Sequence, residues 1–550
     1  MNPIFAIDGY KLSHRKQYPA NTQLVFGNFT PRSSKHFKTP VFKEPQLLWA
    51  GTQAFVSHWL VRNFNENFFH KPKNNVIREF KKLVDAYLGE GVIDVDWVSD
   101  LHDKQHLPIE LRAIPEGVLV DMKTPVLTIK NTEPEFFWLP NFLETLLSAE
   151  LWPVATAATT AFNYRVISEK YSEETCEDNS HVMWQCHDFA ARGNMGMDAN
   201  TLTGMGHLFS FRGTDSVFAL ARIRRDYNVI GNADYLFAGS VAATEHSVMC
   251  AGTQDGERET FHRLLTEVHP TGMLAVVSDT WNYFDVLTKT LPTLKDVVMG
   301  REGKLVIRPD SGDPTEIICG FKIAARFENK VIAQEWLSND DNELPENGEY
   351  VVQVGDQYFT YSHFNGTYFL TAEKSEAEVK GSIQLLYDLF GGTINNKGYK
   401  VLDPHIGLIY GDSITLERAN TILRRLKEQG FASSNVVFGI GSYTYQYVTR
   451  DTFGFAMKAT YVVVDGEGRA IQKDPATDDG LKKSMKGLIT HAVVDGKWVA
   501  TDEATPEQAE ATELPLLYRD GVNYRQTDLE RVRENVDREV EKALAALKQA

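Results

Sequence analysis

Four short apolar runs, each ending in polar residues, place the strongest constraint on how this chain can fold. They are LAVVSD at 274–279, LVIRPDSGDP at 305–314, IGLIYGDS at 406–413 and VVFGIGS at 436–442. Short apolar runs bounded by turn residues are typical of buried parallel strands. Four such strands with Asp, Ser and Gly at their carboxyl ends predict an α/β barrel that carries ligand-binding groups at that end.

The spacing of the four runs indicates where the barrel is interrupted. The first two start about 30 residues apart, as do the last two, and this is the length of one βαβ unit. Far more chain separates the second run from the third, and residues 348–373 there alternate aromatic and β-branched side chains. Gly355-Asp356 and Asn365-Gly366 are hairpin signals within that stretch. We therefore predict a small antiparallel meander inserted at residues 327–399.

The chain on either side of the barrel predicts a second, mostly antiparallel domain. Residues 24–29 predict a strand, and residues 107–132 alternate apolar and polar side chains between Pro and Gly turns. We predict a helical and antiparallel domain over 1–175, the barrel over 176–445, and a segment over 446–550 that completes the β domain. That segment ends in a predicted helix over 527–548, with Thr527 and Glu530 as a capping box.

Composition argues against several classes of protein. The formal net charge of −17 is opposite to the basic footprint of a nucleic-acid-binding protein. The four cysteines show no CxxC spacing, which is typical of proteins from a reducing cytoplasm. No apolar run approaches the ~20 residues of a membrane span, and the N-terminus lacks the pattern of a signal peptide. We expect a cytoplasmic protein whose partners are small molecules.

Several motif residues suit a ligand that carries phosphate, sugar and a flat ring. Arg308 offers a forked donor to a phosphate or a carbonyl, and Asp310 could accept sugar hydroxyls or hold a metal. Phe189, close to Arg192 and two glycines in CHDFAARGNMG, could form a shelf for the ring.

Other candidates have a structural interpretation that is at least as good. Asp215 in FRGTDS could cap the following helix, and His246 in GSVAATEHS could be a packed or solvated histidine. A late group of cations in this acidic chain could be a solvated face or a polyanion site. The group comprises Arg450, Lys458, Lys473, Lys482, Lys483 and Lys486.

A set of short motifs in fixed order resembles the nicotinamide phosphoribosyltransferase family, its bacterial or phage members above all. The set spans residues 6–487 and comprises DGYKLSHRKQYP, HDFAARG, FRGTD, SVAATEHS, VVSDTW, IRPDSGDP, GDS, FGIGS, TRD, MKATYV and QKDP. The resemblance implies an irregular, type II phosphoribosyltransferase-like barrel paired with a mostly β domain, and a homodimer with shared active sites. It implies phosphoribosyl transfer from phosphoribosyl pyrophosphate to nicotinamide, yielding nicotinamide mononucleotide and pyrophosphate in NAD salvage.

The resemblance also implies a role for individual residues. Phe189 and the partner subunit's Tyr10 would stack on the nicotinamide ring, Asp215 would accept from its amide, and Arg192 would line the pocket. The residues implied for ribose and phosphate are Asp310, Gly411, Asp412, Gly441 and Ser442. Those implied for pyrophosphate are Arg32, Arg450, Lys458, Lys473 and either Lys482 or Lys483. The catalytic group would be His246, Asp279, Arg308 and Asp310.

The implied reaction needs positioning and charge stabilisation rather than a protein nucleophile. The resemblance implies Mg²⁺ on the pyrophosphate, and ATP as a co-substrate that phosphorylates His246. Three alternatives stay open: a nicotinate phosphoribosyltransferase, a non-catalytic pyridine-nucleotide-binding protein and an unrelated phosphate-handling barrel lyase. An ionised Asp215 only accepts hydrogen bonds, which favours an amide substrate over a carboxylate.

Overall fold

The computed structural model describes residues 2–227, 229, 236–339, 344, 348–411, 413–475, 483–524 and 527–549. Two predicted site residues, Asp412 and Lys482, lie outside these ranges. Within them, an antiparallel sheet and a parallel sheet of seven strands each organise the chain, and a smaller sheet is inserted.

The antiparallel sheet combines strands from both ends of the sequence. In spatial order they are Glu467–Ala470, Ala456–Val464, Thr22–Thr30, Leu127–Asn131, Ile109–Ala113, Leu516–Arg519 and Val522–Asn523. Asn28 pairs with Lys458 where the strands Thr22–Thr30 and Ala456–Val464 run side by side. A hairpin of Leu488–Val494 and Lys497–Ala504 covers one face, where Leu488 and Ile489 pack on Phe26. The register therefore aligns the early part of the chain with the late basic part.

The parallel sheet contains the four predicted runs as adjacent strands. Its order is Gly213–Thr214, Cys186–Asp188, Val436–Ile440, Ile406–Tyr410, Glu302–Arg308, Thr271–Val277 and Ala242–Ala243. Gly239 pairs with Gly213 at one edge, while Ala242 and Ala243 pair with Thr271–Val277 at the other. The segment 239–243 thus joins the two edges, and the prediction of an α/β fold with a parallel sheet is confirmed.

Alternation along the strands decides which side chains face the helices and which face inward. Leu305 and Ile307 lie in the main hydrophobic core, whereas Val306 packs with Ala275 and Ile409 in a separate small cluster. Successive side chains of a strand point to opposite faces, so Arg308 shares the face of Val306. The inner face therefore carries a cation at its carboxyl end.

Helices cover the outer face of the parallel sheet and fill the space beside it. The longest, Glu144–Thr175, is buried on most sides and packs on Met197–Leu208. The other α-helices are His14–Gln17, Thr52–Phe55, Lys73–Leu88, Asp96–Lys104, Leu139–Phe142, Val182–Gln185, Val217–Asp226, His246–Ala251, Glu257–Arg263, Tyr283–Asp285, Leu291–Met299, Pro314–Cys319, Lys330–Leu337, Glu376–Phe390, Leu416–Glu428, Ser442–Gln446, Pro506–Glu510 and Leu529–Leu547. In the described ranges, none has the length and apolarity needed to cross a membrane.

The C-terminal helix begins later than the sequence suggests. It spans Leu529–Leu547, and the side chain of Asp528 accepts a hydrogen bond from the backbone N–H of Arg531. The predicted capping box on Thr527 is therefore wrong, because the adjacent carboxylate occupies the N-cap position.

The inserted sheet has a small core of its own. Tyr350–Val354, Gln357–Phe364 and Thr367–Lys374 pair antiparallel, and Lys322–Phe327 pairs parallel with the first of them. The helix Lys330–Leu337 packs on this sheet through Ala333 and Leu337. The helix Glu376–Phe390 instead buries Ile383 and Leu386 in the main core. Two-stranded ladders complete the described strands: Leu47–Trp49 with Val118–Val120, and Gly392–Ile394 with Lys400–Leu402.

Candidate active site

An aromatic wall stands where the strand Cys186–Asp188 ends. The backbone N–H of Phe189 donates to the carbonyl of Ile440 at 2.9 Å. The Phe189 side chain packs against the inner cluster of Ala275, Val306 and Ile409. The ring of His187 lies 4.5 Å from the Phe189 ring, centroid to centroid. Phe189 therefore presents a held, partly exposed ring face at the carboxyl end of the sheet.

Asp215 lies beside this wall and is held by its neighbours. His187 Nε2 lies 2.8 Å from Asp215 Oδ1, and Ser240 Oγ donates to the same oxygen. The residue at the N-cap of the helix Val217–Asp226 is Ser216, so the helix-cap interpretation of Asp215 is wrong. Burial favours a raised pKa for Asp215, but the two hydrogen bonds and the charge of Arg308 outweigh it and the pKa is lowered. The side chain is thus an ionised acceptor that is 44% exposed.

Arg308 reaches across the inner face toward the segment that precedes His246. Its Nη2 donates to the carbonyl of Thr244 at 2.8 Å. Its Nε is buried and lacks a hydrogen-bond partner among the described atoms. Because a guanidinium carries five N–H groups in a fixed fork, one anchored nitrogen sets the direction of the rest.

Asp279 and Asp310 form the acidic part of the site. Asp279 Oδ2 accepts from the backbone N–H of Asp310 at 2.9 Å and from Ser311 Oγ at 2.6 Å. This nearly buried carboxylate therefore fixes the turn that follows the strand Glu302–Arg308. Asp310 remains about one-third exposed, with 31% of its side chain accessible.

His246 sits over these two carboxylates. Its Nε2 lies 3.8 Å from Asp279 Oδ1 and 3.8 Å from Asp310 Oδ2, and its Nδ1 lies 3.2 Å from Thr280 Oγ1. Glu245, the residue before it, accepts from Ser247 instead. The carboxylates that face the imidazole are thus those of the two neighbouring strand ends.

The residues that follow the strands Ile406–Tyr410 and Val436–Ile440 complete the rim of the site at the carboxyl end of the parallel sheet. A Cβ atom on Gly411 would lie 2.2 Å from Asp310 Oδ1, so the backbone at this glycine approaches that carboxylate closely. Gly441 precedes the short helix that Ser442 begins. A Cβ atom on Gly193 would lie 1.9 Å from Ser442 Oγ, so the turn that carries the exposed Arg192 lies against Ser442.

A cluster of cations, defined here as Arg32, Arg450, Lys458 and Lys473, converges on one face of the antiparallel sheet. Burial lowers the pKa of Lys458, and the charges of Arg32, Lys473 and Arg450 lower it further, against the opposing charge of Glu144. A cavity of about 290 Å³ is lined by Arg32, Lys458 and Lys483, among others. Lys483 pairs with Asp474 at 3.1 Å. The structure therefore brings predicted pyrophosphate residues together from positions more than 400 apart in sequence.

Tyr10 is displayed on the surface. It is 63% exposed, and its ring contacts His14 of its own segment at 4.9 Å between centroids. The next residue, Lys11, is buried and anchors the segment through an ion pair with Glu144 at 2.7 Å. An aromatic ring is thereby held outward by a fixed backbone.

Residues 184–514 match the family model of the nicotinate phosphoribosyltransferase (NAPRTase) family. The chain belongs to this family. It is 41% identical to the nicotinamide phosphoribosyltransferase of Acinetobacter baylyi over 98% of both chains. It is 31% identical to the protein of the same name from Mycoplasma pneumoniae, over 88% of this chain and 94% of the other. The crystal structure of human nicotinic acid phosphoribosyltransferase has a similar fold, with a TM-score of 0.50 at 13% identity over 96% of this chain and 92% of the human one.

In this NAPRTase-family protein, three supporting residues of the site carry no local signal that would assign them a role. His187 and Ser240 contact Asp215, and their only signal in the sequence is their position inside two motifs. Asp188, fully buried, accepts from Ser216 Oγ at 2.6 Å and from the backbone N–H of Ala190 at 2.9 Å. It thereby joins the turns that carry Phe189 and Asp215.

Proposed function

We propose that this protein transfers the phosphoribosyl group of phosphoribosyl pyrophosphate to nicotinamide, and that nicotinamide mononucleotide and pyrophosphate are its products. The observation that carries the choice of base is Asp215, an ionised acceptor beside the ring face of Phe189. An amide N–H₂ can donate to this carboxylate, whereas a nicotinate carboxylate would be repelled by it.

The base and the ribose are brought together by opposite sides of the rim. The pyridine ring stacks on Phe189 with its amide on Asp215, while Asp310 and Gly411 hold the ribose hydroxyls. The ring nitrogen attacks the anomeric carbon, the new C–N bond forms, and the C–O bond to pyrophosphate breaks with its electron pair on the leaving oxygen. Holding both partners in line makes the attack effectively unimolecular and thereby accelerates it.

The leaving pyrophosphate needs concentrated positive charge. Arg32, Arg450, Lys458 and Lys473 offer it, together with Lys482 or Lys483. Asp279 Oδ1 is buried without a hydrogen-bond partner, so Asp279 and Asp310 would hold a Mg²⁺ ion that accompanies the pyrophosphate. The ion would neutralise charge that develops on the leaving group. In the described ranges, no group of three or more His, Cys, Asp or Glu side chains forms a metal cage.

The assembly and the finer fold belong to the same proposal. We propose that the parallel sheet and its joining segment 239–243 form the irregular barrel of type II phosphoribosyltransferases, with domain boundaries near 175 and 445. The chain would act as a homodimer in which the partner subunit's Tyr10 covers the base. The exposed, anchored ring of Tyr10 supports this arrangement.

The test of the reaction is a direct competition. The protein is incubated with phosphoribosyl pyrophosphate, Mg²⁺ and equal nicotinamide and nicotinate, and both mononucleotides are measured by mass. We expect nicotinamide mononucleotide to dominate. Equal or greater yield from nicotinate would favour the alternative of a nicotinate phosphoribosyltransferase, and no product from either base would favour a binding protein.

Asp215→Asn tests the residue behind this preference. An asparagine offers a donor as well as an acceptor, so we expect KM for nicotinamide to rise and the preference over nicotinate to fall, each by about tenfold. Steady-state kinetics with each base measure both effects. A preference unchanged in a folded variant would contradict the assignment of Asp215.

We further propose that ATP phosphorylates His246 and that this step promotes synthesis. An imidazole nitrogen would attack the terminal phosphorus of ATP, the bond to the β-phosphate oxygen would break, and ADP would leave. We expect His246→Ala to reduce ATP hydrolysis to background while leaving weak, ATP-independent synthesis. The matched control is His262→Ala, on the next helix of the chain, which should hydrolyse ATP like the unmodified protein. Equal ATP turnover in His246→Ala would return His246 to a pocket-lining role.

The cation cluster yields a prediction about protons. Because the pKa of Lys458 is lowered, a fraction of the molecules carries a neutral Lys458 at alkaline pH. A bound polyanion favours the charged form of this side chain. We expect pyrophosphate binding at alkaline pH to take up protons, seen as a binding heat that depends on the buffer. Lys458→Gln should remove this dependence and raise KM for phosphoribosyl pyrophosphate about tenfold. Proton uptake that persists in the variant would exclude Lys458 as its source.

A further inference from the structure

We propose that His187 and Ser240 are positioning residues that hold Asp215 by its Oδ1 and present its Oδ2 to the substrate amide, which sets the selectivity for the base. This inference rests on the proposed function. His187 Nε2 lies 2.8 Å from Oδ1, and Ser240 Oγ donates to the same atom. Among the described residues, no side-chain donor to Oδ2 accompanies them.

The geometry leaves His187 one role toward this carboxylate. An ionised carboxylate only accepts hydrogen bonds, so Nε2 must carry the proton. His187 is 8% exposed, and its strand pairs with Gly213 and Thr214, one residue before Asp215. Both the donor and the residue it holds are therefore fixed by the same edge of the parallel sheet.

His187 also connects the two residues that would bind the base. Its ring lies 4.5 Å from the Phe189 ring at 37° between the planes, while its Nε2 faces Asp215. A small rotation of the His187 imidazole would shift both the ring face of Phe189, on which the base stacks, and the carboxylate of Asp215, which accepts from the amide. The relation between stacking and amide recognition is thus set by a residue that does not need to touch the substrate.

The charges around Asp215 explain why the hydrogen bonds from His187 and Ser240 would control the selectivity for the base. Arg308 attracts the Asp215 carboxylate, and the buried His207 interacts electrostatically with both His187 and the buried Asp188. Without its two donors, Asp215 could turn toward Arg308 or take up a proton. A protonated or withdrawn Asp215 no longer repels a carboxylate, so nicotinate becomes a better substrate.

A pH dependence follows with a defined sign. His187 and Ser240 favour the ionised form of Asp215 and thereby lower its pKa. Losing either donor raises that pKa, so the amide acceptor is lost at a higher pH than in the unmodified protein. The acidic limb of the nicotinamide KM profile should therefore move toward neutral pH.

The experiment compares His187→Leu, His187→Gln, Ser240→Ala and His405→Gln. His405 forms another His–Asp pair, with Asp403 at 2.7 Å, before the strand Ile406–Tyr410 and so at the opposite end of the parallel sheet. For His187→Leu we expect nicotinamide KM to rise and base selectivity to fall by about tenfold each, with kcat changing much less. His187→Gln keeps an N–H donor and should recover most of the loss in KM and in selectivity. Ser240→Ala should show a smaller loss of the same kind. His405→Gln should behave as the unmodified protein.

A second measurement does not depend on turnover. In protein labelled with ¹⁵N-histidine, the imidazole signals of His187, assigned by their loss in His187→Gln, report the tautomer in the free protein. We expect Nε2 to carry a proton. An Nδ1–H tautomer, or unchanged KM, selectivity and acid limb in a His187→Leu protein that unfolds at the normal temperature, would overturn the inference. If the unmodified protein makes no mononucleotide, the proposed function fails, while the tautomer still decides how His187 holds Asp215.

Discussion

Replacing Asp310 by alanine is expected to lower kcat/KM for mononucleotide synthesis by about 10³, the loss typical of removing a group that positions or stabilises a reacting centre. Asp310 Oδ1 faces Gly411 and Oδ2 faces His246, and its backbone N–H is held by Asp279. A carboxylate fixed in this way can accept from two ribose hydroxyls at once. Steady-state kinetics with nicotinamide and phosphoribosyl pyrophosphate measure the loss.

The same ten-residue motif contains the matched control. Asp313 caps the helix Pro314–Cys319, and its Oδ1 accepts from the backbone N–H groups of Thr315 and Glu316. Asp313→Ala should therefore lower the free energy of unfolding by about 1 kcal/mol and leave kcat/KM close to normal. If both variants lost activity equally, or neither did, Asp310 would have no special role in the site.

The parallel sheet could be predicted because its information is local. Each strand is an apolar run, and each run ends in residues that favour a turn, so Leu305, Ile406 and Val436 each mark a strand without reference to the others. The edge strands Gly213–Thr214 and Ala242–Ala243 have two residues each, and no periodicity can reveal them. They exist because the neighbouring strands offer them partners.

The site could be predicted as a set of motifs but not as a set of contacts. Asp215 lies two residues before the first residue of a helix, which makes a cap the better local interpretation, yet its partners His187 and Ser240 are 28 and 25 residues away. The N-cap predicted at Thr527 is wrong for a similar reason over a shorter distance, because the adjacent Asp528 can cap the same helix and does so. Local sequence restricts which residues can play a role, and long-range packing decides which one does.

The cation cluster shows that local sequence also cannot reveal which charged residues lie together in the fold. Arg32 and Lys458 are far apart along the chain, and only the antiparallel register beside Asn28 brings them to one cavity. A count of basic residues in an acidic chain cannot distinguish such a cluster from a solvated face. The lowered pKa of Lys458 is the physical sign of burial next to other cations.

If the sites are shared between two subunits, as proposed, activity should return in a heterodimer of defined composition. One subunit carries Tyr10→Ala and the other Asp310→Ala, and two different affinity tags isolate the mixed dimer. Each variant alone is expected to be strongly impaired. In the mixed dimer, one of the two sites combines an intact Asp310 with the partner subunit's Tyr10, so about half of the normal activity per dimer should return.

The decisive comparison places both lesions in one subunit beside an unmodified partner. If the sites are shared, each site of this dimer carries one lesion, and activity should stay low. If each subunit held a complete site of its own, the outcome would reverse: the doubly substituted dimer would keep about half of the activity and the mixed dimer would have little. Tyr10 is exposed on a segment that Lys11 and Glu144 anchor. Because this segment is anchored, we do not expect its backbone to rearrange and bring another ring to the position of Tyr10 after the substitution. The ratio of the two activities therefore reports where the ring of Tyr10 acts.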